Sequence, residues 1–541
     1  MTAVQTALGG AGAASTGELQ RRIGWRDAFW IASGVPALVL FSVGSIAATV
    51  GTPSWLVWMI SISMGFVQAF TYAEIAGLFP NKSGGASVYG AVAWVRYGKL
   101  FAPLSVWCNW LAWSPVLAIG AGLAAGYVLS LLFAADAAIN TWQLTILDLG
   151  SVKEGLTLRI NGTFLVGAVI LLIAFAIQHR GISSTAKVQT IIGAAALMPL
   201  IIIGVVPLLT GDVVMANLTP LVPLAHDAAD NPVPGAWTTA GFTVMAGGLF
   251  IAAWSTYAFE TAVCYTREFR DPGRDTFKAI LASGILCILV FSIVPLTFQG
   301  VLGLEGMLAP EIYDGTGVAA AMAAMVDGGP LVETVIVVML VFSLVLAIIT
   351  SMAGSSRTLY QAAKDGWLPR YLDQANENGA PTRAMWTDLG FNLVLLMMSD
   401  YVFVLAISNV CYIMFNFLNL NSGWIHRLDR PTWDRPFRAP TWLLAIGTAF
   451  SFVNLVFLGM GANIWGEGTL VTGVLVAAMI LPVFVWRHYV VDKGHFPDAM
   501  KEDLHLGPGQ AVVRRAGVLP YLALAAGVAV VLIANAVASS G

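Results

Sequence analysis

Long uninterrupted runs of apolar residues dominate the chain and predict membrane-spanning helices. A helix needs about 20 apolar residues to cross a hydrocarbon core of about 30 Å. Thirteen segments fit, numbered here 1 to 13: 28–50, 55–79, 101–133, 160–178, 185–209, 238–265, 278–301, 331–355, 384–399, 402–424, 440–461, 468–490 and 517–537. Segment 9 is the weakest, because it is short and begins with Trp386 and Asp388. The runs are continuous rather than alternating, so they predict helices and not strands.

Basic residues are concentrated in alternate loops between these segments. Of the 27 Lys and Arg residues, 25 lie in loops on the side of the N-terminus, and only Lys153 and Arg159 lie on the other side. Loops rich in Lys and Arg stay on the cytosolic side of a membrane. The pattern predicts a cytosolic N-terminus and, with thirteen crossings, a C-terminus on the outer side.

Composition supports the same class of protein. The chain is 58% hydrophobic and 11% charged, with a mean hydropathy of +0.79, whereas a soluble domain carries about 25% charged residues. Residues 1–20 lack the basic start and apolar core of a secretory signal and are expected to form a disordered cytosolic tail. The four Cys and six His residues have no metal-ligand spacing, and no nucleophile set or phosphate loop is present. We therefore expect no enzyme activity, metal, cofactor or nucleic-acid partner.

Two apolar segments are interrupted at similar depth by unusual residues. Segment 1 contains Gly34, Val35 and Pro36, and proline removes a backbone donor and clashes with the preceding helical turn. Segment 6 contains the polar run Trp254-Ser255-Thr256-Tyr257-Ala258. Each begins a set of five helices, and because five is odd, the second set is inverted relative to the first. Such paired interruptions are typical of a transporter's central site; the alternative is that Pro36 only kinks a packed helix.

Four motifs, spread over about 370 residues in the same order, resemble a known superfamily. They are YAEIAGLFPNKSGGASVYGAVAWVRYGKL (72–100), AAWSTYAFETAVCYTREFRDPGRDTFKAI (252–280), SSRTLYQAAKDGWLPRYLDQANENGAPTRA (355–384) and RPTWDRPFRAP (430–440). They resemble the amino acid–polyamine–organocation transporters. The resemblance implies the LeuT-type fold, an all-α membrane protein of two inverted five-helix repeats with discontinuous helices 1 and 6. It also implies alternating access and amino acids or related amines as cargo.

The resemblance divides the chain into four regions. Residues 1–27 form the cytosolic tail, and residues 28–425 form the ten-helix core, with repeats at 28–209 and 238–425. Residues 426–490 form a basic cytosolic loop and helices 11 and 12. Residues 491–541 form a further cytosolic loop and helix 13, to which the sequence assigns no role.

The two interruptions are the predicted substrate site. Exposed N–H groups of a half-helix suit the carboxylate of an amino acid, and freed carbonyls suit its ammonium group. By resemblance, the substrate contacts lie in segment 1 at Ser33, Gly34, Val35, Pro36 and Ala37, and in segment 6 at Trp254, Ser255, Thr256, Tyr257 and Ala258. Segment 1 departs from the family's Gly-rich form because it contains proline. An alternative break lies at Ser42, Gly44 and Ser45.

Gating and coupling residues also follow from the resemblance. Trp254 stands where the arginine/agmatine exchangers close an aromatic side chain over the substrate, and Asn109 aligns with their inner gating tyrosine. Glu260 is a carboxylate at membrane depth, which is costly; it either exchanges a proton or anchors freed backbone groups. A lysine used by some proton-coupled relatives is replaced by Ala196. A sodium site would use the hydroxyls of Thr350 and Ser351, which otherwise pack between helices.

The predicted activity is secondary active transport of amino acids across the cytoplasmic membrane, as proton-coupled symport or as exchange. Neutral or apolar amino acids fit better than anionic ones, since no basic residue lies at pocket depth. The alternatives are cationic amino acids, polyamines or other amines as substrates, sodium-coupled symport, and an uncoupled channel or receptor. The expected partners are the small-molecule substrate, H⁺ or Na⁺, and membrane lipid; the oligomeric state stays open. Glu268, Arg270, Asp271 and Arg274 are expected to form a cytosolic ion-pair turn.

Overall fold

The computed structural model describes residues 18–229, 231–504 and 514–540. Most of the predicted cytosolic tail (1–17) and part of the loop before segment 13 (505–513) lie outside the described residues. What is described is almost entirely helical, so the predicted all-α class is confirmed.

One long helix corresponds to each predicted segment and keeps its number. They are helix 1 Trp25–Val50, helix 2 Ser54–Gly77, helix 3 Phe101–Leu132, helix 4 Gly162–His179, helix 5 Ile182–Thr210, helix 6 Thr239–Glu268, helix 7 Pro272–Met307, helix 8 Gly329–Lys364, helix 9 Thr382–Leu396, helix 10 Tyr401–Asp429, helix 11 Thr441–Trp465, helix 12 Thr469–Val491 and helix 13 Leu519–Ser540. Within the described residues, twelve of these, all except helix 9, are long and apolar enough to cross a membrane. Helix 9 has 15 residues, about 22 Å of α-helix against a hydrocarbon core of about 30 Å. Thirteen crossings therefore stay a prediction.

Helices 1 and 6 depart from α-helical geometry within their length. Helix 1 is α-helical at Trp25–Ile31 and Val39–Val50, and the intervening Ala32–Leu38 is a 3₁₀-helix that contains Pro36. Helix 6 is α-helical up to Thr256 and continues as a 3₁₀-helix at Ala258–Glu268. Runs of 3₁₀-helix longer than about four residues are uncommon, because their hydrogen bonds are poorly aligned. Both irregular stretches need support from neighbouring helices.

The interrupted helices lie at the centre of the bundle. In the most apolar 18-residue stretch of each helix, the buried share is 94% for helix 1 and 83% for helix 6. The corresponding shares are 28% and 11% for helices 12 and 13, which lie at the periphery. Around them, helix 2 packs against helix 7, helix 3 against helix 10, and helix 11 against helix 13. Helix 3 is itself divided into Phe101–Trp113 and Val116–Leu132, on either side of Ser114 and Pro115.

Among the described residues, two small antiparallel hairpins lie between the long helices, and the sequence analysis did not predict them. Strand Gln143–Asp148 pairs with Thr157–Asn161, and Leu224–His226 pairs with Pro232–Pro234. Short α-helices fill other connections, at Ala86–Trp94, Ala138–Thr141, Pro310–Tyr313, Val318–Ala324 and Asp498–Asp503.

At the end predicted to be cytosolic, the segment before helix 13 is held by a buried cation. Lys82 Nζ lies 2.5 Å from Asp365 Oδ1, at the end of helix 8, and 2.8 Å from Asp503 Oδ2. Met500 and Leu504 are buried beside it, and Arg430 Nη2 donates to the Asp503 carbonyl at 3.2 Å. Burial alone would lower the pKa of Lys82, but the carboxylates of Asp365 and Asp503 raise it above its usual range. The ammonium group therefore stays charged.

We expect the docking of residues 498–504 to weaken as the pH rises. Burial raises the pKa of Asp503 to about 6, although Lys82 opposes the shift. An undocked aspartate titrates near 3.9. The docked form therefore binds the proton more tightly than the undocked form. The protection of its backbone amides against hydrogen exchange should fall about tenfold between pH 5 and pH 8. Hydrogen exchange of 498–504, corrected for intrinsic rates, measures this protection. Asp503→Asn should remove the pH dependence, and protection that increases toward pH 8 would contradict the expectation.

Candidate functional site

The 3₁₀ stretch of helix 1 is held against helices 5 and 8. Thr350 Oγ1 donates to the carbonyl of Ile31 at 2.6 Å. Gln189 Nε2 donates to the same carbonyl at 3.1 Å and to Thr350 Oγ1 at 3.0 Å. Gly34 permits the close approach, since a Cβ at that position would lie 2.4 Å from the carbonyl oxygen of Leu346. The interruption is thus fixed by hydrogen bonds and by the absence of a side chain.

The two predicted substrate segments lie next to each other. Ser255 Oγ donates to the carbonyl of Leu38 at 3.2 Å, which joins the interruptions of helices 6 and 1. The hydroxyl of Ser33 donates within its own helix, to the carbonyl of Trp30 at 2.6 Å. The side chains predicted to contact substrate in helix 1 are all buried: Ser33, Val35, Pro36 and Ala37.

Trp254 connects three helices at this point. Its Nε1 lies 2.9 Å from both the carbonyl of Ala112 on helix 3 and the hydroxyl of Ser408 on helix 10. Its ring lies 5.8 Å from that of Phe41 on helix 1. The side chain is buried. A rotation of Trp254 would break its contacts to helices 3 and 10 together. Its role as a gate stays a prediction.

The next predicted substrate residues of helix 6 face a different side. The hydroxyl of Thr256 lies 2.7 Å from that of Ser61 on helix 2. The hydroxyl of Tyr257 donates to Asn454 Oδ1 on helix 11 at 3.0 Å. Ala258 follows at the start of the 3₁₀ stretch and carries no polar side-chain atom. Of the five predicted residues, the structure brings Trp254 and Ser255 together with helices 1, 3 and 10, and Thr256 and Tyr257 with helices 2 and 11.

Glu260 is buried one turn beyond the interruption of helix 6. Its Oε1 accepts a hydrogen bond from Trp113 Nε1 on helix 3 at 3.0 Å. The backbone of Ala86, the first residue of the helix Ala86–Trp94, also lies beside the carboxyl group. Oε2 has no partner of hydrogen-bond geometry among the described residues. Ser351 Oγ donates to the Trp113 carbonyl at 2.6 Å, so the carboxyl group is linked through helix 3 to helix 8.

Asn109 lies where helices 3 and 8 meet. Its Nδ2 donates to Thr358 Oγ1 at 3.2 Å, and Thr358 Oγ1 donates to the carbonyl of Gly84 at 2.8 Å. Its Oδ1 has no partner within the part of the chain that the structure describes. Asn109 therefore joins the predicted cytosolic halves of the helices, away from Trp254.

Two interpretations of the sequence are wrong. Ser42, Gly44 and Ser45 form no helix break, because they lie in the regular α-helix Val39–Val50. Glu268 does not form its ion pair within the predicted cytosolic turn of residues 268–274: it is buried and accepts hydrogen bonds from Arg357 Nε and Arg357 Nη2, the second at 2.9 Å. Its partner Arg357 lies 89 residues later, on helix 8. The cluster of charged residues around Glu268 in the sequence does not indicate so distant a partner.

Sequence reasoning also missed Gln189. On helix 5, the position of the lysine found in some proton-coupled relatives is Ala196, whose carbonyl accepts a hydrogen bond from Ser343. Gln189 lies two turns earlier and is the residue that reaches helix 1. An uncharged amide inside an apolar segment was the available signal, because a buried polar group needs a partner.

Comparison with known proteins gives one extended family match. A family model described as amino acid permease matches residues 23–485. A branched-chain amino acid permease of Lactococcus lactis subsp. cremoris is 22% identical over 457 residues, covering 80% of this chain and 88% of the relative. A polyamine transporter of Oryza sativa subsp. japonica is 22% identical over 455 residues (81% and 75%), and an uncharacterized amino acid permease of Bacillus subtilis is 23% identical over 372 residues (66% and 72%).

The match begins just before helix 1 and ends within helix 12, so it includes both interrupted helices and the residues around them. The predicted membership of the amino acid–polyamine–organocation superfamily is confirmed. The chain belongs to the amino acid permease family.

Proposed function

We propose that the protein transports neutral or apolar amino acids across the cell membrane by alternating access, coupled to protons as symport or exchange. The fold is the LeuT-type five-plus-five repeat with thirteen crossings, and the N-terminus is cytosolic. The observation that carries the proposal is Glu260, a buried carboxyl group that accepts a hydrogen bond from Trp113 and lies beside two joined helix interruptions. Coupling to protons needs an ionisable group whose contacts change together with those of the substrate site.

The charge of the site favours a neutral substrate. Within residues 32–38 and 254–260, Glu260 is the one ionisable side chain besides the phenol of Tyr257. An anionic substrate would bring a second negative charge against Glu260 with no basic residue to offset it. The branched-chain permease relative agrees with a neutral, apolar cargo. The polyamine transporter relative favours the alternative, a cationic amine paired with Glu260.

The hydrogen bonds around Thr350 favour protons over sodium. A sodium ion in this position would need the oxygens of the Ile31 carbonyl and the Thr350 hydroxyl, since hard cations are bound by oxygen ligands. Both oxygens already accept hydrogen bonds from the Gln189 amide nitrogen. The other predicted sodium ligand, Ser351, donates its hydroxyl to the Trp113 carbonyl. The N–H groups of the Gln189 side chain thus already occupy the oxygens that a sodium ion would have to bind.

Uptake into proteoliposomes tests the proposal. The purified protein is reconstituted and supplied with labelled leucine, glutamate, arginine or putrescine under an inward proton gradient, an inward sodium gradient or none. We expect leucine uptake driven by the proton gradient or by leucine inside, with no response to sodium. Uptake of putrescine alone would support the amine alternative. Flux that ignores every gradient and internal substrate would indicate a channel.

Replacing Glu260 by glutamine should uncouple transport from the proton gradient. Glutamine keeps the size of the side chain and the bond from Trp113, but it cannot exchange a proton. We expect leucine binding within about twofold of the wild type, and loss of the acceleration by an inward proton gradient. The matched control is Asp388→Asn, a buried carboxyl whose two oxygens accept from Trp110, Ser114 and Ser355. Joint loss of binding and folding in Glu260→Gln would show that Glu260 is an anchor instead.

A further inference from the structure

The hydroxyl of Tyr257 is directed away from helix 1, although the residue lies at the interruption of helix 6. Tyr257 is the residue between the α-helix that ends at Thr256 and the 3₁₀-helix that starts at Ala258. Its ring packs over Gly65 on helix 2, where a Cβ would lie 2.5 Å from Tyr257 Cδ1. Its hydroxyl reaches helix 11, which lies outside the predicted ten-helix core.

A chain of buried polar groups continues from that hydroxyl. Tyr257 Oη donates to Asn454 Oδ1 at 3.0 Å, and Asn454 Nδ2 donates to Asn416 Oδ1 on helix 10 at 3.0 Å. Asn416 Nδ2 donates at 2.7 Å to Gln68 Oε1 and to the hydroxyl of Tyr72, both on helix 2. The amide of Gln68 lies beside the Tyr257 hydroxyl again. All five side chains are buried.

We propose that Asn454 is a positioning residue for transport: through Tyr257 it fixes the place on helix 6 where α-helical geometry stops. The proposal rests on the proposed function, because it concerns the same interruption. The N–H of Tyr257 donates to the Ala253 carbonyl at 3.1 Å, as in an α-helix, whereas its carbonyl accepts from the N–H of Glu260 at 3.2 Å, as in a 3₁₀-helix. The backbone bonding therefore changes at this residue, and its side-chain bonds help to fix the place of the change. The four polar side chains come from helices 2, 10 and 11. They hold the hinge, Tyr257, through helix 11, whereas the neighbouring Ser255 is bound to Leu38 of helix 1.

This assignment differs from the sequence-based role of Tyr257 as a substrate ligand. A ligand hydroxyl contributes to substrate affinity, so its removal weakens binding. A hydroxyl that positions the hinge instead contributes to the rate of the conformational change in helix 6, and its removal slows transport without weakening binding. In that case, changes at Asn454 should reproduce changes at Tyr257, because Asn454 contacts the predicted site through the Tyr257 hydroxyl.

The test compares Tyr257→Phe, Asn454→Leu and the double variant. Three quantities are measured for each variant. Leucine binding is measured by a scintillation proximity assay, transport by uptake of labelled leucine into proteoliposomes, and stability by the apparent melting temperature in detergent. We expect each single variant to lower the maximal uptake rate about five- to tenfold with the dissociation constant within about twofold of the wild type. The double variant should be no slower than the singles, because the same bond is removed.

The double variant also separates positioning from stability. Asn454→Leu alone deprives both the Tyr257 hydroxyl and Asn416 Oδ1 of a hydrogen-bond partner, and the double variant removes the first of these two groups. The melting temperature of the double variant should therefore be higher than that of Asn454→Leu while its uptake rate stays low. Recovery of both together would overturn the proposal and show a packing role. A raised dissociation constant in Tyr257→Phe that Asn454→Leu does not share would identify Tyr257 as a substrate ligand and overturn it as well.

Asn421→Leu is the matched control. Asn421 is also a buried asparagine between helices 10 and 11, where its Nδ2 donates to Ser451 Oγ at 3.2 Å. It makes none of the bonds of the Tyr257 set. We expect the control to lose thermal stability to a similar extent and to keep its uptake rate. If it slows uptake as much as Asn454→Leu, the role assigned to Asn454 is not specific and the proposal fails.

A native cysteine gives a readout that does not depend on transport. Cys264 lies in the 3₁₀ stretch beyond Tyr257 and is buried. With Cys108, Cys287 and Cys411 replaced by alanine, its alkylation by N-ethylmaleimide should be about fivefold faster in Asn454→Leu than in the parent or the Asn421→Leu variant. An unchanged alkylation rate would overturn the positioning role. A parent protein that fails to transport leucine would count against the proposed function alone, since alkylation still reports on the hinge.

Discussion

Glu268→Gln is expected to destabilise the protein by about 3–5 kcal/mol and to abolish transport, because it leaves the guanidinium of Arg357 buried without a counter-charge. The side chains of Arg357 and Glu268 are 2% and 1% exposed. Two guanidinium nitrogens donate to the two carboxylate oxygens, and Arg357 Nη1 donates to the carbonyl of Ala353 at 2.9 Å. The pair joins the end of helix 6 to helix 8.

The same residue also joins the chain before helix 1 to helix 6. The carbonyl of Glu268 accepts hydrogen bonds from the backbone N–H groups of Arg22 at 2.9 Å and Ile23 at 3.1 Å. Loosening the side-chain pair should therefore release the first residues of helix 1 as well. The apparent melting temperature in detergent and leucine uptake in proteoliposomes measure the two effects.

A partly exposed ion pair on the same protein is the control. Lys153 and Asp400 have side chains that are 26% and 30% exposed, and such pairs contribute about 0–1 kcal/mol. Lys153→Met should leave stability and uptake near wild type. The double variant Glu268→Gln/Arg357→Met should regain much of the lost stability, because the unpaired buried charge is removed. Wild-type stability in Glu268→Gln alone would show that water reaches Arg357.

The membrane-spanning segments could be predicted because their signal is local. Each long helix needs a continuous apolar stretch to bury its backbone bonds in lipid, and the helices follow the predicted segments closely. Segment 9 is the weakest of them because it is short and contains Asp388, and the sequence does not show what surrounds that side chain. The carboxylate of Asp388 is buried and accepts hydrogen bonds from Trp110, Ser114 and Ser355 on helices 3 and 8. These partners are distant in sequence.

The place of the candidate site followed from local residues, whereas its contacts did not. Pro36 and the polar run from Trp254 to Ala258 predict where regular helix stops. Nothing in those residues indicates that the Tyr257 hydroxyl turns to Asn454, 197 residues later, or that Gln189 supports the Ile31 carbonyl. Such partners depend on how the helices are arranged around one another, and a single sequence carries no record of that arrangement.

Gly34→Ala is expected to lower leucine uptake at least about tenfold and to destabilise the protein by about 1–3 kcal/mol, because it inserts a methyl group into an occupied space. The new Cβ would lie 2.4 Å from the carbonyl oxygen of Leu346 and 2.5 Å from Thr350 Oγ1. A backbone carbonyl cannot rotate away as a side chain can. Helix 1 must therefore move off helix 8, and the bond from Thr350 to the Ile31 carbonyl must lengthen or break.

Gly126→Ala in helix 3 is the matched control, since a Cβ there would meet nothing within 4 Å. Alanine within a helix stabilises by about 0.5–1 kcal/mol relative to glycine where its methyl group has room, so this variant should be at least as stable as the wild type and transport normally. Uptake and apparent melting temperature of both variants are measured side by side. Normal uptake by Gly34→Ala would show that helix 1 does not need its close contact with helix 8. That result would also mean that the interruption is not held by the bonds of Thr350 and Gln189 to the Ile31 carbonyl, because those bonds depend on the close approach of helix 1 to helix 8.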